Sequence, residues 1–157
     1  MKKSLLITGL LLLPLLVSCT ANAPEKAPDP SSSGPMVVKL SVSDSKPRFV
    51  HSNYGLQDAS MQALLQGNLV TGPGNCLGVK SGEAGATIPA FPGTTVFTEA
   101  NGGAPGIDIE GHKYKLGDEV RFGGGFVPIT ETDRKAIAEC GGAIESNSVF
   151  FIQQIAE

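Results

Sequence analysis

Tryptophan is absent from this 157-residue chain, histidine occurs only twice, and cysteine only three times. Seven Phe and two Tyr are the only aromatic residues. The two histidines, His51 and His112, lie too far apart to form the tight ligand spacing of a strong metal motif. Twelve Lys and Arg face fifteen Asp and Glu, and the basic residues form no patch. That scarcity excludes nucleic acid as a partner. It also leaves no polybasic flank to add attraction to anionic lipid. The longest apolar stretch, Ser4 to Leu16, is shorter than the about 20 apolar residues that a bilayer-spanning helix needs.

What the first residues do contain is ordered. Met1-Lys2-Lys3 is a short positive end, and the stretch "SLLITGLLLLPLL" that follows carries no charge. This is the charge-then-apolar layout of a secretory signal. It closes on Leu16-Val17-Ser18-Cys19, which resembles the lipobox of bacterial lipoproteins. The resemblance implies a thioether-linked diacylglyceryl group on Cys19, cleavage before Cys19 and, in many bacteria, palmitate-type acylation of the new amino terminus. Two or more acyl chains anchor a protein stably, whereas one does so only marginally. Thr20, not Asp, follows the cysteine. The resemblance therefore implies the outer membrane where the organism has two membranes, and the outer face of the cell membrane where it has one.

Cleavage would remove Lys2 and Lys3 and move the formal charge from −3 to −5. Residues 20–35, "TANAPEKAPDPSSSGP", hold four prolines among small and polar residues. Such a segment cannot build a core, and its prolines keep it extended. The expected organisation is a signal over 1–18, a lipidated amino terminus and tether over 19–35, and a single domain over 36–157. That last span is long enough for one core.

Cys76 and Cys140 remain in the domain. In an oxidising compartment the simplest outcome is one disulfide. Loop-closure entropy over roughly 64 residues predicts stabilisation of about 4 kcal/mol. The alternatives are two buried thiols, or a reactive Cys76 working with a distant histidine as nucleophile and base.

Short apolar runs separated by glycine-rich segments predict many turns joining short strands. In "VVKLSV", Val38, Leu40 and Val42 alternate with Lys39 and Ser41, the pattern of a half-buried strand. In "NYGLQDASMQALLQG", Met61, Leu64 and Leu65 share a helical face, so one or two helical turns are expected over 58–65. Leu69 and Leu77 are expected in one core, on strands joined by the Gly72-Pro73-Gly74 turn. Ile88-Pro89 and Phe91-Pro92 are expected to form a constrained edge, and "GTTVFTEA" a further strand.

Ile107, Ile109, Tyr114, Leu116, Val120, Phe122, Phe126 and Ile129 recur at strand-like spacing and are predicted core residues. Thr130 can cap a helix over 131–139, with Asp133 at the capping-box position. Ile137 and Cys140 lie three apart and face the same way. "SVFFIQQI" is a terminal strand rich in β-branched and aromatic residues. Six or seven short strands with one or two short helices give a mainly β fold. The expected form is a small, partly closed OB-like barrel, because closure removes vulnerable edges. A β-sandwich is the alternative.

From Gly67 onward the elements "GNLV…NCLGV", "IPAFPGTTV", "YKLGDEVRFGGGFV" and "ECGG…VFFI" resemble a small β domain of uncharacterised bacterial secreted and lipid-anchored proteins. The resemblance covers about 90 residues and implies a fold but no residue-level function. The segment from Val37 to Gln66 lies outside it.

The chemical signals are thin. Gly123–Gly125 could form an anion-binding nest, but no Lys-Ser or Lys-Thr follows, and a bend or bulge after a strand ending at Phe122 accounts for it. Asp108, Glu110 and His112 could share one strand face as metal ligands, although Gly111 breaks that face and a solvated surface explains them. Asp118 and Glu119 are adjacent and so point to opposite sides of a strand. Ser31–Ser33 lie in the tether. The residues therefore predict no catalytic group, cofactor or metal. They predict a non-enzymatic envelope lipoprotein bound to the bilayer through Cys19. Its barrel mouth and loops would take another envelope protein or a small ligand. A cell-wall hydrolase and a purely structural assembly protein are the rival readings.

Overall fold

A computed structural model describes residues 38–56, 61–99, 103–143 and 147–156. The chain divides into two units, Met1–Met36 and Val37–Glu157. The expected signal, Cys19 and the expected tether with Ser31–Ser33 lie outside the described residues. All that follows concerns the second unit.

Among the described residues, eleven strand segments and one short α-helix follow in order. The strands are β1 (Leu40–Val42), β2 (Val50–Ser52), β3 (Ala63–Thr71), β4 (Leu77–Lys80), β5 (Ala86–Thr87), β6 (Ala90–Phe91), β7 (Val96–Glu99), β8 (Pro105–Ile109), β9 (His112–Lys115), β10 (Glu119–Pro128) and β11 (Ser148–Ile155). The helix α1 (Glu131–Ala136) lies between β10 and β11, and 3-10 turns occupy Pro73–Asn75 and Ala138–Ala143. Eight strands form one curled, partly closed sheet in the order β1-β2-β6-β11-β10-β3-β4-β5. β7, β8 and β9 form a second, three-stranded sheet. The mainly β, partly closed architecture is the one expected, although it is divided into more strands.

Two apolar clusters explain the arrangement. One gathers Leu65, Leu69, Leu77, Phe91, Ile107, Ile109, Val120, Phe122, Phe150 and Ile152 with their neighbours. The other gathers Leu40, Val50, Cys76, Ile88, Ile137, Cys140, Val149 and Phe151. Along β11, Phe150 and Ile152 belong to the first cluster, while Val149 and Phe151 belong to the second. This strand is therefore buried on both faces. That is why it reads as a continuous apolar run rather than an alternating one. Ile107 and Ile109 bring the small sheet against the first cluster. Ile137 and Cys140 bring the helical segment against the second.

Several local expectations hold. Leu69 and Leu77 are fully buried on paired antiparallel strands. Thr130 caps α1: its hydroxyl accepts from Asp133 N, and its backbone N donates to Asp133 Oδ2. Cys76 and Cys140 form the disulfide, with Cα atoms 5.6 Å apart. The bond ties the Pro73–Asn75 turn to the Ala138–Ala143 turn. The ion pair between Arg48 and Glu139 lies beside it.

Others need correction. The segment from Ala63 to Leu65 is strand, not helix; residues 58–60 lie outside the described set. Leu64 is 52% exposed while Leu65 is buried. That period-two alternation comes from antiparallel pairing with β10, where Leu65 faces Phe122 and Leu64 faces Gly123. A helix of two turns is costly to nucleate, and six consecutive residue pairs with β10 outweigh its weak local preference.

The Phe91-Pro92 segment is not an edge. β6 lies inside the large sheet, parallel to both β2 and β11, and Phe91 is fully buried. Phe126, a predicted core residue, is 57% exposed and stacks edge-on over Phe150. The helix begun by Thr130 stops at Ala136, and the tighter 3-10 turn carries Cys140 to Cys76.

Gly123–Gly125 marks a bulge, as expected, but β10 continues through it to Pro128. The register with β11 shifts between Gly123 and Gly124. A side chain at Gly124 would meet the Phe151 carbonyl, and one at Gly125 would meet Met61. Close approach, not anion binding, accounts for these glycines.

Candidate functional site

An open concavity lies on the outer side of the β1–β2 hairpin, where the β6–β7 connection approaches it. It holds about 530 Å³ and is lined chiefly by Lys39, Ser41, His51, Asn53, Tyr54 and Thr94. This volume falls within the range of small-molecule sites, about 300–1,000 Å³.

Strand pairing builds it. Ser41 and His51 are register partners across β1 and β2. Ser41 Oγ and His51 Nε2 are hydrogen-bonded at 3.2 Å. The His51 ring leans on Phe49, with centroids 5.9 Å apart, so a core aromatic supports the half-buried imidazole.

A set of short links fixes the walls. Lys39 N donates to Asn53 Oδ1 at 2.8 Å, and Asn53 N donates to Lys39 O at 3.2 Å. Gly93 N donates to Tyr54 O at 2.8 Å. Ser52 Oγ donates to Phe91 O, and Tyr54 N donates to Ser52 Oγ, each at 3.3 Å. A side chain at Gly93 would press to within 2.7 Å of Ser52 O, so glycine lets the two segments meet. The Tyr54 hydroxyl is buried without a hydrogen-bond partner. Thr94 Oγ1 donates to Glu110 Oε1 at 3.0 Å, which links the groove rim to the small sheet.

The other singled-out residues do not gather there. His112 is exposed at the start of β9. Glu110 and Gly111 form the two-residue turn between β8 and β9, with φ of 50° and 94°. Positive φ at both positions suits a tight hairpin. Asp108 Oδ1 accepts from Gly111 N at 2.7 Å and stabilises that turn. Asp118 Oδ2 accepts from Lys115 N, and Glu119 Oε1 accepts from Gln66 Nε2. These carboxylates have local structural roles. Among the described residues, no group of three or more His, Cys, Asp or Glu could hold a metal ion. The disulfide occupies Cys76, so it cannot act there as a free nucleophile.

A second concavity, of about 340 Å³, is lined by Thr98, Glu99, Ala104, Lys113, Tyr114 and Lys115. Burial raises the Tyr114 phenol above its ordinary value of 10.0. Its ring packs edge-on against Phe122, with centroids 5.6 Å apart. This cleft therefore rests on a core contact.

The alternation of "VVKLSV" places Lys39 and Ser41 on the outward face of β1, but nothing local in the sequence pairs Ser41 with His51. Ten residues separate them, and the bend at Asp44–Lys46 brings them together. The serine and the imidazole meet in the geometry of a nucleophile and base. No carboxylate among the described residues contacts His51 to orient it, as a full triad would require. No helix among the described residues is long and apolar enough to cross a membrane. Comparison with protein-family models, curated proteins and solved structures finds no match for this chain.

Proposed function

We propose that this chain is an exported lipoprotein, held at the cell envelope by acylated Cys19, whose β domain is a binding module. The disulfide carries the reading. It consumes Cys76 and Cys140, leaving Cys19 as the one cysteine outside that pair. Cys19 directly follows the apolar run, at the end of the lipobox-like tetrapeptide. A disulfide-linked domain fits an oxidising compartment outside the cytosol. The groove beside β1 and β2 supports a small ligand over a broad protein contact, because it is concave and its walls are joined by hydrogen bonds.

Cys19→Ser tests the anchor. Cells fed labelled palmitate should label the wild-type chain and not the variant, and the variant should leave the membrane fraction. Equal labelling or equal membrane retention would sink the reading.

The Ser41–His51 hydrogen bond favours a second reading, an envelope hydrolase with Ser41 as nucleophile and His51 as base. Ser41-dependent labelling by a fluorophosphonate would support it, and no labelling of folded protein would remove it.

A further inference from the structure

We propose that the β1–β2 groove binds a carboxylate-bearing saccharide, with Lys39 meeting the carboxylate and Ser41, His51 and Thr94 meeting hydroxyl or amide groups. This rests on the reading of the domain as a small-ligand module. Among the described residues no Asp or Glu lines the groove, and Lys39 lines it without forming an ion pair. The chain as a whole is acidic, at −3, so a cation-bearing concavity stands against the general field and selects an anion locally.

Within the remaining lining, three side chains offer polar groups to a hydroxyl-rich ligand. Ser41, His51 and Thr94 place two hydroxyls and an imidazole around one opening, with the Tyr54 ring at its wall. At the rim, the Glu110 carboxylate is held by the Thr94 hydroxyl. It can accept from a sugar hydroxyl beyond the rim without lining the carboxylate subsite. The walls are already fixed, by the paired Lys39–Asn53 hydrogen bonds and by Gly93 N donating to Tyr54 O. Little ordering remains for binding to impose. A volume of about 530 Å³ admits one or two sugar rings.

The test uses the full chain in detergent and follows amide shifts and calorimetric heats on titration. Two acidic sugars, N-acetylmuramic acid and D-glucuronate, are compared with their neutral counterparts, N-acetylglucosamine and D-glucose. Saturable binding of an acidic sugar is expected, with shifts at Lys39, Ser41, His51 and Thr94. Lys39→Ala should weaken it about tenfold or more, while Lys39→Arg and the distant Lys80→Ala should keep it.

Binding of N-acetylmuramic acid alone would identify a wall glycan as the source. Binding of D-glucuronate alone would identify another acidic polysaccharide. Equal binding of acidic and neutral sugars, no saturable binding, or indifference to Lys39→Ala would overturn the proposal. None of these readouts depends on lipid, so failure here leaves the Cys19 anchor standing, and loss of the anchor leaves the groove standing.

Discussion

Breaking the bond between Cys76 and Cys140 should remove a large part of the stability of the domain. The two cysteines are separated by 64 positions in the sequence. For a loop of that length, chain entropy gives about 4 kcal/mol of stabilisation. A domain of this kind holds about 5–15 kcal/mol in all, so the crosslink ranks with the whole margin. The ion pair that joins Arg48 to the Ala138–Ala143 turn is weak by comparison. Arg48 and Glu139 are 38% and 64% exposed, and a pair so open to water contributes about 0–1 kcal/mol.

The assay is urea denaturation of the full chain, comparing wild type, the double variant Cys76→Ala/Cys140→Ala, and Arg48→Ala. The double variant should lose about 4 kcal/mol, with a small additional loss from the deleted sulfurs in the cluster around Ile137. Arg48→Ala should lose about 1 kcal/mol or less. Both sulfur-bearing residues are fully buried, so reductant should act on native protein only as fast as the region opens. A loss below about 1 kcal/mol in the double variant, or one no larger than that of Arg48→Ala, would refute the reasoning.

Two further outcomes follow from the same structure. Thr130→Ala removes the hydroxyl that accepts from Asp133 N and should cost about 1 kcal/mol in the same urea assay; an unchanged midpoint would show that the cap is not holding α1. Ultraviolet titration should place the Tyr114 phenol above 10.0, because burial disfavours its charged form. Its contribution to stability is then full below pH about 10 and lost as pH rises through the raised folded value, since the folded state holds that proton longer than the unfolded chain. A phenol titrating at or below the ordinary value would contradict the burial of its ring.

Strand residues with an apolar–polar alternation were legible because period two follows from the pleat alone. Leu40, Val120 and Phe122 are buried where that pattern puts them. Capping was equally local: Thr130 and Asp133 lie three apart and satisfy each other without help from the rest of the fold. The segment around Leu64 and Leu65 was not legible, since its spacing serves a helix and a strand alike. Only β10, more than fifty residues away, decides between them. Phe126 misled for the opposite reason. The bulge at Gly123–Gly124 shifts the register of β10 against β11, so the parity counted from Phe122 no longer holds beyond it.

The sequence by itself determined the mainly β composition, the turn positions, the capping box and the availability of two domain cysteines for one bond. Each of these depends on backbone preference or on residues a few positions apart. Tertiary structure alone decided that β6 lies inside the sheet, that β11 is buried on both faces, and that Ser41 and His51 meet beside Lys39 and Thr94. Those placements depend on which distant strands pair. Pairing is chosen by burying both apolar clusters at once, a condition that no single segment contains.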